Sequence, residues 1–383
     1  MDSKLNKRAR QAEGQSYRET KKAKVDNSLC SDLCDEILFS ILSRLPLKSL
    51  GRAACVSKTW RRWVSEIGLK KSSEPMLGGL FYEYETLDTK MTGYAPLPSC
   101  NEGDGAILKN SSSNSIMQIL SCSHGLILCI DNSSPNEYHI INPLVTPTIV
   151  LPTSTCHSHS PNAATLVLDP SKLPNYEVVR LITDVNNVIV GVDVFSSETS
   201  NWEELESTID DLYYEDGEIS FLNGTLYVLA MKDSMGVLFT YNIMDKIAQV
   251  ISLPCQGLWD ENPNCLGVSE GCLRFSANDF VEGDDFIQHL IWELEGQNLW
   301  VLKHRLGPLD HQLLAFHPDL DAVFFHSIDN EQHNILMLHL TNMEWGGVCT
   351  FYDGDEVDVV GVSFFPISLS LLNPAQLGRH IVS

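Results

Sequence analysis

The sequence predicts a small all-α unit near the N-terminus, followed by a much larger all-β domain assembled from repeated sheets. Before residue 72, apolar residues recur at helical spacing. After residue 75, short runs rich in valine, isoleucine, leucine and aromatic residues alternate with turn dipeptides. The chain of 383 residues has room for two or three domains, and its 43% apolar content can fill a sizeable core.

The first predicted element is an amphipathic helix with a broad apolar stripe. Its large apolar residues fall at positions i, i+1, i+4, i+5 and i+8 and are Ile37, Leu38, Ile41, Leu42 and Leu45. Pro46 follows directly and ends the helix, because proline has no amide hydrogen to donate to the preceding turn. Leu47 and Leu50 then begin a second apolar set.

A further helix is predicted to begin after Ser57, a residue type favoured at the N-cap. This helix carries Trp60, Trp63 and Val64. A unit of roughly 40 residues is at the lower limit for folding alone, because so little of its surface can be buried internally. The apolar surface left over on this unit therefore predicts a permanent protein partner.

The segment from Leu33 to Trp60 resembles the F-box, a helical motif that docks onto the Skp adaptor of cullin-RING ubiquitin ligases. The matching positions are Leu33, Ile37, Ile41, Leu42, Arg44, Leu45, Pro46, Leu47, Lys48, Ser49, Leu50, Cys55, Val56, Ser57, Lys58 and Trp60. The RLP-x-KSL and C-V-S-K-x-W portions are similar to those of plant F-box proteins. Cys34 stands where the family has a proline, which should weaken helix entry modestly.

The resemblance implies contact with the Skp adaptor, and through it with cullin and RING subunits. The residues expected to carry this contact are Leu33, Ile37, Ile41, Leu42, Leu45, Pro46, Leu47, Leu50, Val56 and Trp60. Spacing alone leaves open which of them pack internally and which face the adaptor. The alternative is an ordinary helical hairpin packed into its own domain.

Residues 1–27 are predicted to form a disordered basic tail, because they are polar, charged and nearly devoid of large apolar side chains. The tail contains two basic clusters separated by twelve residues, Lys7 and Arg8, then Lys21, Lys22 and Lys24. Their spacing resembles a bipartite nuclear localisation signal, which implies a nuclear protein with a cytoplasmic pool. The alternative is a solvated basic tail that carries no localisation signal.

Charge is divided unevenly along the chain. Residues 1–71 carry 16 Lys and Arg against 8 Asp and Glu, whereas residues 72–383 carry 10 against 42. An acidic body repels phosphate backbones and anionic lipids, so we expect no direct binding of nucleic acid or membrane. The acidity either keeps the protein soluble or selects a basic partner by electrostatic steering.

Neither a secretory signal nor a membrane span is expected from the sequence. No run of 18 or more apolar residues occurs, and the first residues are polar and charged. The eleven cysteines are scattered without C-x-x-C pairs. This pattern favours reduced thiols in a cytosolic or nuclear protein.

Similar strand pairs recur after residue 75 at intervals of 46 to 51 residues. They begin at Gly79, Gly125, Tyr176, Gly224, Gly271 and Asp321. Two hairpins over this length match one four-stranded blade of a β-propeller, and kelch-type blades run near 50 residues. The sequence therefore predicts a propeller of six blades of about 48 residues, with seven blades as the alternative.

The same region resembles the F-box-associated, kelch-like domain of plant F-box proteins. The segments that carry the resemblance are 121–129, Asn142-Pro143, Leu151-Pro152, 176–180, 194–202, Asn223-Gly224 and Leu253-Pro254. The paired glycines of true kelch blades are mostly missing. The predicted organisation is a basic tail at 1–27, an F-box at 28–71 and an F-box-associated kelch-like β-propeller at 75–383.

Candidate catalytic and metal sites are few. Cys156, His157 and His159 have metal-binding side chains but lack a second ligand pair at zinc-finger spacing. The acidic run 353–358 fits a hairpin turn better than a calcium loop. We therefore expect no metal and no cofactor.

Acidic residues surround Tyr213 and Tyr214. They are Asp210, Asp211, Glu215, Asp216 and Glu218. As candidates for general acid or base catalysis these carboxylates show no sign of burial, so a solvated loop is predicted instead. The acidic loop 203–218 is also a candidate for binding a basic target. The tryptophans that close strands after a turn are predicted to pack between adjacent blades rather than stack on a ligand, and are Trp202, Trp300 and Trp345.

Together these features predict a non-catalytic substrate receptor of a Skp–cullin–F-box ubiquitin ligase. The F-box would hold the adaptor while the propeller binds a target protein, which raises the target's effective concentration near the ubiquitin-charged enzyme. One alternative is a propeller enzyme, which needs a convergent cluster of metal-binding or reactive side chains at the ring centre. The other is a receptor for a small ligand or glycan.

Overall fold

The computed structural model describes residues 35–45, 49–50, 53, 56–72, 77–86, 90–96, 117–131, 134–142, 145–169, 175–214, 219–255, 265–280, 287–296, 298–309, 311–329, 332–353 and 359–368. The chain divides into two compact units, Met1–Leu45 and Pro46–Ser383. This division falls inside the segment predicted as an F-box. The predicted domain boundaries at residues 27, 71 and 75 stay predictions.

Among the described residues, two helices have defined bounds, α1 (Asp35–Ser43) and α2 (Lys58–Ser72), and residues 49–50 and 53 between them are also helical. Asp35 and Glu36 occupy the first turn of α1, where negative charge is stabilised by the helix dipole. The predicted cap of α2 is confirmed, because the Ser57 hydroxyl accepts a hydrogen bond from the Trp60 amide at 3.1 Å. Neither described helix is long and apolar enough to cross a membrane.

The described strands pair in antiparallel sheets. In chain order they are β1 (Leu77–Thr86), β2 (Lys90–Pro96), β3 (Met117–Ser123), β4 (Leu126–Asp131), β5 (Ser134–Asn142), β6 (Val145–Val150), β7 (Ala164–Val167), β8 (Glu177–Thr183), β9 (Ile189–Ser196), β10 (Asn201–Glu206), β11 (Ile219–Leu222), β12 (Thr225–Lys232), β13 (Met235–Asn242), β14 (Ile247–Ser252), β15 (Cys265–Ser269), β16 (Cys272–Phe280), β17 (Ile287–Glu295), β18 (Leu299–Leu309), β19 (Gln312–Phe316), β20 (Ala322–Asp329), β21 (Gln332–His339), β22 (Glu344–Asp353) and β23 (Val359–Ser368). Five sheets each contain four consecutive strands, and we call them blades 1 to 5: β3–β6, β7–β10, β11–β14, β15–β18 and β19–β22. A further sheet has three described strands in the order β2-β1-β23.

The inner strands of these sheets stand side by side in a closed ring. β3 lies next to β7, β7 next to β11, β11 next to β15 and β15 next to β19, while β23 lies next to both β19 and β3. β15 and β19 approach each other closely at Gly267. A methyl group at this position would stand only 2.9 Å from Cδ2 of Phe316. This arrangement is a β-propeller, as predicted.

The predicted number of blades is wrong. The described residues form five four-stranded blades, not six, and the unit expected to begin at Gly79 instead supplies β1 and β2 to the three-stranded sheet. The third strand of that sheet, β23, comes from the other end of the domain. Repeat spacing could not reveal this pairing, because a strand supplied from far along the chain leaves no mark on local periodicity.

Three of the repeats begin with hairpin turns that share one backbone conformation. In each turn both central residues have positive φ, between 48° and 79°, and the pairs are His124-Gly125, Asn223-Gly224 and Glu270-Gly271. Type I′ turns have this property, and their twist suits an antiparallel hairpin. The repeat starts predicted at Gly125, Gly224 and Gly271 are thus confirmed. Each glycine lies in the turn that leads into a strand, β4, β12 or β16.

Two of the three predicted inter-blade tryptophans are confirmed. Nε1 of Trp202 in blade 2 donates a hydrogen bond to the carbonyl of Pro152, which follows the last strand of blade 1, at 2.7 Å. Nε1 of Trp300 in blade 4 donates to the carbonyl of Ser252, at the end of blade 3, at 3.0 Å. Trp345 of blade 5 is 45% exposed. The first two tryptophans therefore join neighbouring blades by both packing and a hydrogen bond.

A buried ion pair lies inside blade 2. Arg180 of β8 and Asp193 of β9 stand opposite each other in the sheet, and each side chain is 1% exposed. Nη2 of Arg180 donates to Oδ2 of Asp193 at 2.9 Å and to the carbonyl of Cys156 at 2.7 Å. The guanidinium carbon lies 5.1 Å from the ring centre of Trp202. Because both charges are removed from water, each depends on the other.

Two buried histidines meet in blade 5. Nε2 of His326 on β20 is 2.9 Å from Nδ1 of His333 on β21, and the two rings stack. Such a hydrogen bond needs one nitrogen to donate and the other to accept, so both rings cannot be charged at once. Burial, reinforced by His333 and His311, lowers the pKa of His326 to about 4. The pair is therefore neutral at physiological pH.

We expect Arg180→Met to lower the free energy of unfolding by about 3–5 kcal/mol, because Asp193 would remain buried and charged without its partner. Arg180→Met combined with Asp193→Leu should recover part of that loss, since the double variant buries no unpaired charge. Urea unfolding followed by circular dichroism measures both values. Equal destabilisation of the two variants would show that the ion pair is not the cause.

Thermal stability should fall as the pH decreases from about 6.5 to about 4. The pKa of His326 is depressed in the folded chain, so in this window the unfolded chain takes up a proton that the folded chain does not. His326→Gln should make the dependence of the melting temperature on pH shallower, whereas His157→Gln, at an exposed histidine, should not. Calorimetry across this range tests the expectation, and an unchanged slope for His326→Gln would contradict it.

Candidate functional site

The exposed apolar side of α1 is the first candidate site. Ile37 is 50% exposed and Ile41 is 48% exposed, and because they are four residues apart they lie on the same side of the helix. Leu38 and Leu42, each one residue further along, are buried. Burial therefore divides the predicted stripe into a side that packs and a side that faces solvent.

The other predicted adaptor-binding residues differ in exposure. Val56 is 65% exposed and its amide donates to the carbonyl of Ala53 at 3.0 Å, in a turn that precedes α2. Leu45 and Trp60 are half-buried, and Leu50 is buried. A buried side chain contributes to a docking surface only by holding its exposed neighbours in place.

Several predicted residues lie outside the described part of the chain. For the adaptor contact these are Leu33, Pro46 and Leu47, and for the nuclear signal they are Lys7, Arg8, Lys21, Lys22 and Lys24. Cys34, at the family's proline position, is also outside it. The roles of all these residues stay predictions.

An open cavity of about 1170 Å³ is lined in large part by the inner strands of the propeller. Its apolar lining includes Leu120, Leu166, Phe221, Leu314 and Phe365. Its polar lining includes His124, Asp169, Glu177 and Glu198. Among the described residues, no group of three or more His, Cys, Asp or Glu side chains could hold a metal ion. The cavity thus has a mixed lining that favours no single ligand chemistry.

A smaller hollow of about 400 Å³, which we call the Tyr213 hollow, is lined by Asp211, Tyr213, Met231, Asp233 and Ser234. The amide of Tyr213 donates to the carbonyl of Met231 at 2.9 Å, and the amide of Met231 donates to the carbonyl of Tyr213 at 2.8 Å. Tyr213 also forms a β-bridge with Val188. The connection between blades 2 and 3 is therefore hydrogen-bonded to both blades, which holds the hollow in shape.

The Tyr213 hollow is acidic. Asp211 and Asp233 are exposed, and neither carboxylate has a hydrogen bond or ion pair with another described residue. Nζ of the neighbouring Lys232 donates instead to the carbonyl of Asp210 at 3.0 Å. Two negative charges therefore stand beside an exposed tyrosine ring.

The sequence predicted a solvated acidic loop here and gave no indication of a hollow. Of the predicted acidic loop, Asp210 and Asp211 are exposed as expected, whereas three members lie outside the described residues: Glu215, Asp216 and Glu218. Tyr214 is buried in the core and Tyr213 is 40% exposed. The residues that were missed are Met231, Asp233 and Ser234, and the polar turn between β12 and β13 was their only local signal.

Cys156, His157 and His159 do not belong to a group of side chains that could hold a metal ion, and the described residues contain no such group. Burial raises the pKa of the Cys156 thiol, and the negative charges of Glu204 and Asp193 raise it further. The thiol therefore stays protonated, which makes it a poor nucleophile and a poor metal ligand. His157 and His159 are exposed. Of the acidic run 353–358, only residue 353 is described.

Comparison with protein families matches two segments of the chain. Residues 30–72 match the F-box domain. Residues 104–345 match a family described as "F-box protein At3g26010-like, beta-propeller". The second match spans more than half of the chain and covers blades 1 to 4 and much of blade 5.

The relatives carry the same description. F-box protein At3g26010 of Arabidopsis thaliana is 27% identical over 335 residues, covering 78% of this chain and 75% of its own length. Putative F-box/kelch-repeat protein At4g22430 of the same plant is 24% identical over 331 residues, covering 79% of this chain and 78% of its own. Among solved structures, TolB from Acinetobacter baumannii is similar with a TM-score of 0.47 and 10% identity over 80% of this chain and 73% of that chain, too distant to carry any inference.

An F-box joined to a propeller is the general architecture of substrate-recognition subunits of Skp–cullin–F-box ligases, and such proteins are typically non-catalytic adaptors. An F-box domain in general binds a Skp-type adaptor. The exposed isoleucines of α1 lie inside the F-box match, and the closed ring of sheets lies largely inside the propeller match. The chain therefore belongs to the family of F-box proteins with an At3g26010-like β-propeller.

Proposed function

We propose that this protein is the substrate receptor of a Skp–cullin–F-box ubiquitin ligase, with its F-box on the Skp adaptor and its propeller on the target protein. The observation that carries the proposal is the pair of half-exposed isoleucines on α1, Ile37 and Ile41, within the F-box match. Large apolar side chains that face water on a short helix gain free energy when a partner covers them.

The size of that gain can be bounded. Full burial of an isoleucine is worth about 1.5–3 kcal/mol, and half of each side chain is already covered, so each contributes on the order of 1 kcal/mol. Two such residues are too few for stable docking alone. The half-buried Leu45, in the same compact unit as α1, is a further described residue that we expect to contribute, and the contacts predicted for Val56 and Trp60 stay predictions.

The ligase role needs positioning rather than catalytic groups in this chain. A target held on the propeller would keep its lysines near the ubiquitin-charged enzyme recruited by the cullin and RING subunits. The resulting effective concentration replaces a slow bimolecular encounter by a faster intramolecular one. The target protein is thereby chosen by the propeller, and the chemistry is supplied by the other subunits.

We also propose that the basic tail directs the protein to the nucleus. The support is the spacing of its two basic clusters, Lys7 and Arg8, then Lys21, Lys22 and Lys24. A cytoplasmic pool is expected during synthesis and import.

Ile37→Asp combined with Ile41→Asp should abolish co-purification with the Skp adaptor, because two buried carboxylates would replace the apolar contact. The matched control is Ile247→Asp with Ile328→Asp, at propeller isoleucines that are 51% and 61% exposed. The control should bind the adaptor as the unmodified chain does. Both variants should keep the melting temperature of the propeller.

The measurement is co-purification of the two chains from a shared expression, read as the adaptor-to-receptor ratio. Retention of the adaptor by the Ile37/Ile41 variant would contradict the docking surface. Loss of the adaptor by both variants would contradict it as well, since the effect would then not be specific to α1.

Alanine at Lys7, Arg8, Lys21, Lys22 and Lys24 should lower the nuclear-to-cytoplasmic ratio of a fluorescent fusion of the full chain. Import receptors bind such clusters through charge, so a variant that exchanges lysine and arginine at the same positions should stay nuclear. Quantitative imaging of the three fusions measures the ratio. An equal ratio for the alanine variant and the unmodified chain would refute the signal.

A further inference from the structure

We propose that the exposed indole of Trp345 in blade 5 binds an extended, proline-containing segment of the target protein. The segment supplies a backbone carbonyl to Nε1 of Trp345 and apolar side chains to its ring. This inference rests on the proposed function, because the target is the protein that the propeller holds for the ligase. It goes further by naming a site and the kind of segment that the site accepts.

Trp345 occupies the same position in its blade as the two tryptophans that join neighbouring blades. Each of the three is the second residue of an outermost strand, and they are Trp202 in β10, Trp300 in β18 and Trp345 in β22. Each pairs with the next-to-last residue of the third strand of its blade, which is Phe195, Leu294 or Leu338. Three blades therefore present the same side chain at the same point of the sheet.

In blades 2 and 4 the end of the preceding blade supplies the hydrogen-bond acceptor of this indole. The carbonyls of Pro152 and Ser252 accept hydrogen bonds from Nε1 of Trp202 and Trp300, at 2.7 Å and 3.0 Å. Both of these chain ends carry a leucine–proline pair whose leucine is buried, Leu151-Pro152 and Leu253-Pro254. The chain itself thus shows which kind of segment binds an indole at this position.

Trp345 lacks such an acceptor, because blade 4 ends differently. β18 has 11 residues, against 6 in both β6 and β14, and its pairing with β17 is interrupted by a bulge at Lys303. Only residues 310–311 separate β18 from β19, whereas the longer connections 151–163, 207–218 and 253–264 follow blades 1 to 3. Within the described residues, Nε1 of Trp345 has no hydrogen-bond partner, and the side chain is 45% exposed.

The exposed indole is nevertheless held in position. Its ring centre lies 5.3 Å from that of Phe325, which is buried, and 5.6 Å from that of His311, with an angle of 82° between the His311 and Trp345 rings. A side chain that is already fixed loses little conformational entropy when a ligand covers its free surface. Tryptophan combines a large apolar area with a hydrogen-bond donor, which is why it often dominates the free energy of protein interfaces.

Bare backbone lies beside the indole. Gly347 follows Trp345 by two residues in the same strand, so the two positions share one face of the sheet. A methyl group added at Gly346 or Gly347 would meet no other residue within 4 Å. The positions that correspond to Gly347 in β10 and β18 carry Glu204 and Leu302. Blade 5 therefore has room along β22 for an incoming segment.

The chemistry of the site favours an extended segment that contains proline. Nε1 of tryptophan can only donate, so the ligand must offer an acceptor, and every backbone carbonyl is one. Proline has no amide hydrogen to leave unpaired when the segment is covered, and its fixed φ keeps the segment extended before binding. Extended segments with proline bind surfaces lined by aromatic rings in this way, at a low cost in entropy.

The test uses the full chain co-purified with its Skp adaptor and a fluorescent peptide with the sequence of residues 146–154, TPTIVLPTS, which contains the chain's own indole acceptor. A second peptide has alanine in place of both prolines, and a third has the same composition in scrambled order. We expect the first peptide to bind at least about tenfold more tightly than the scrambled one. The alanine peptide should bind more weakly than the first. Fluorescence anisotropy measures the affinities.

Two variants and a control locate the binding on Trp345. Trp345→Phe keeps an aromatic ring but removes the donor, and should weaken binding about two- to tenfold, the contribution of one hydrogen bond. Gly347→Val should abolish binding by filling the space beside the ring, and should preserve the strand, because valine is favoured in strands. The control is Ile247→Ala, at an isoleucine of β14 that is 51% exposed, and it should bind as the unmodified chain does.

The inference is overturned if the native and scrambled peptides bind equally, if neither binds, or if Trp345→Phe and Gly347→Val both bind as the unmodified chain does. An equal loss in Ile247→Ala would overturn it too, since binding would then not be specific to blade 5. The melting temperature and adaptor co-purification are recorded for every variant. Retained adaptor without peptide binding would remove this site and leave the proposed function intact, whereas loss of the adaptor from the unmodified chain would remove the proposed function itself.

Discussion

The propeller depends on the pairing of its first strand with its last. β1 and β23 run antiparallel in register from Leu80↔Pro366 to Glu85↔Gly361, and successive residues of β1 pack toward different neighbours. Leu80 packs in a cluster with Phe324 of blade 5, whereas Phe81 packs in a cluster with Ile127 of blade 1. Because side chains alternate along a strand, this single strand joins the two blades at which the ring would otherwise be open. Closure in turn completes the wall of the central cavity, to which Phe365 of β23 contributes.

Regular packing between blades determines which side chains remain available to partners. In the connection between blades 2 and 3, Leu212 and Tyr214 enter the core, so Asp211 and Tyr213 must point to solvent. A slip of one residue in the β-bridges of this segment would reverse the pattern and bury the charged side chain. The exposure of Tyr213 is therefore a consequence of register, and the large cost of burying Asp211 unpaired protects it.

Features of the fold that arise from neighbouring residues could be predicted from the sequence. The stripe of α1, the Ser57 cap and the turns at Gly125, Gly224 and Gly271 each depend on a few adjacent positions. Features that depend on contacts between distant segments could not be predicted from the sequence. The share of β23 in the sheet of β1 changed the number of complete blades, and the division of the α1 stripe into buried Leu42 and exposed Ile41 required knowledge of what covers the helix. The Tyr213 hollow could not be predicted for the same reason, since Met231 and Asp233 belong to another blade than the acidic loop.

The two candidate surfaces differ in chemistry in a way that suits two kinds of partner. When a partner covers an apolar surface such as that of Ile37 and Ile41, the removal of water stabilises the complex. This contribution is not weakened by charge screening, which favours a long-lived complex. The Tyr213 hollow carries Asp211 and Asp233, and charge acts mainly on the rate of encounter and on the choice of partner. A ligase receptor needs both properties, because it must remain on its adaptor while successive targets bind and leave. The proposed role as a receptor therefore assigns the long-lived contact to the apolar side of α1, where Ile37 and Ile41 are half-exposed.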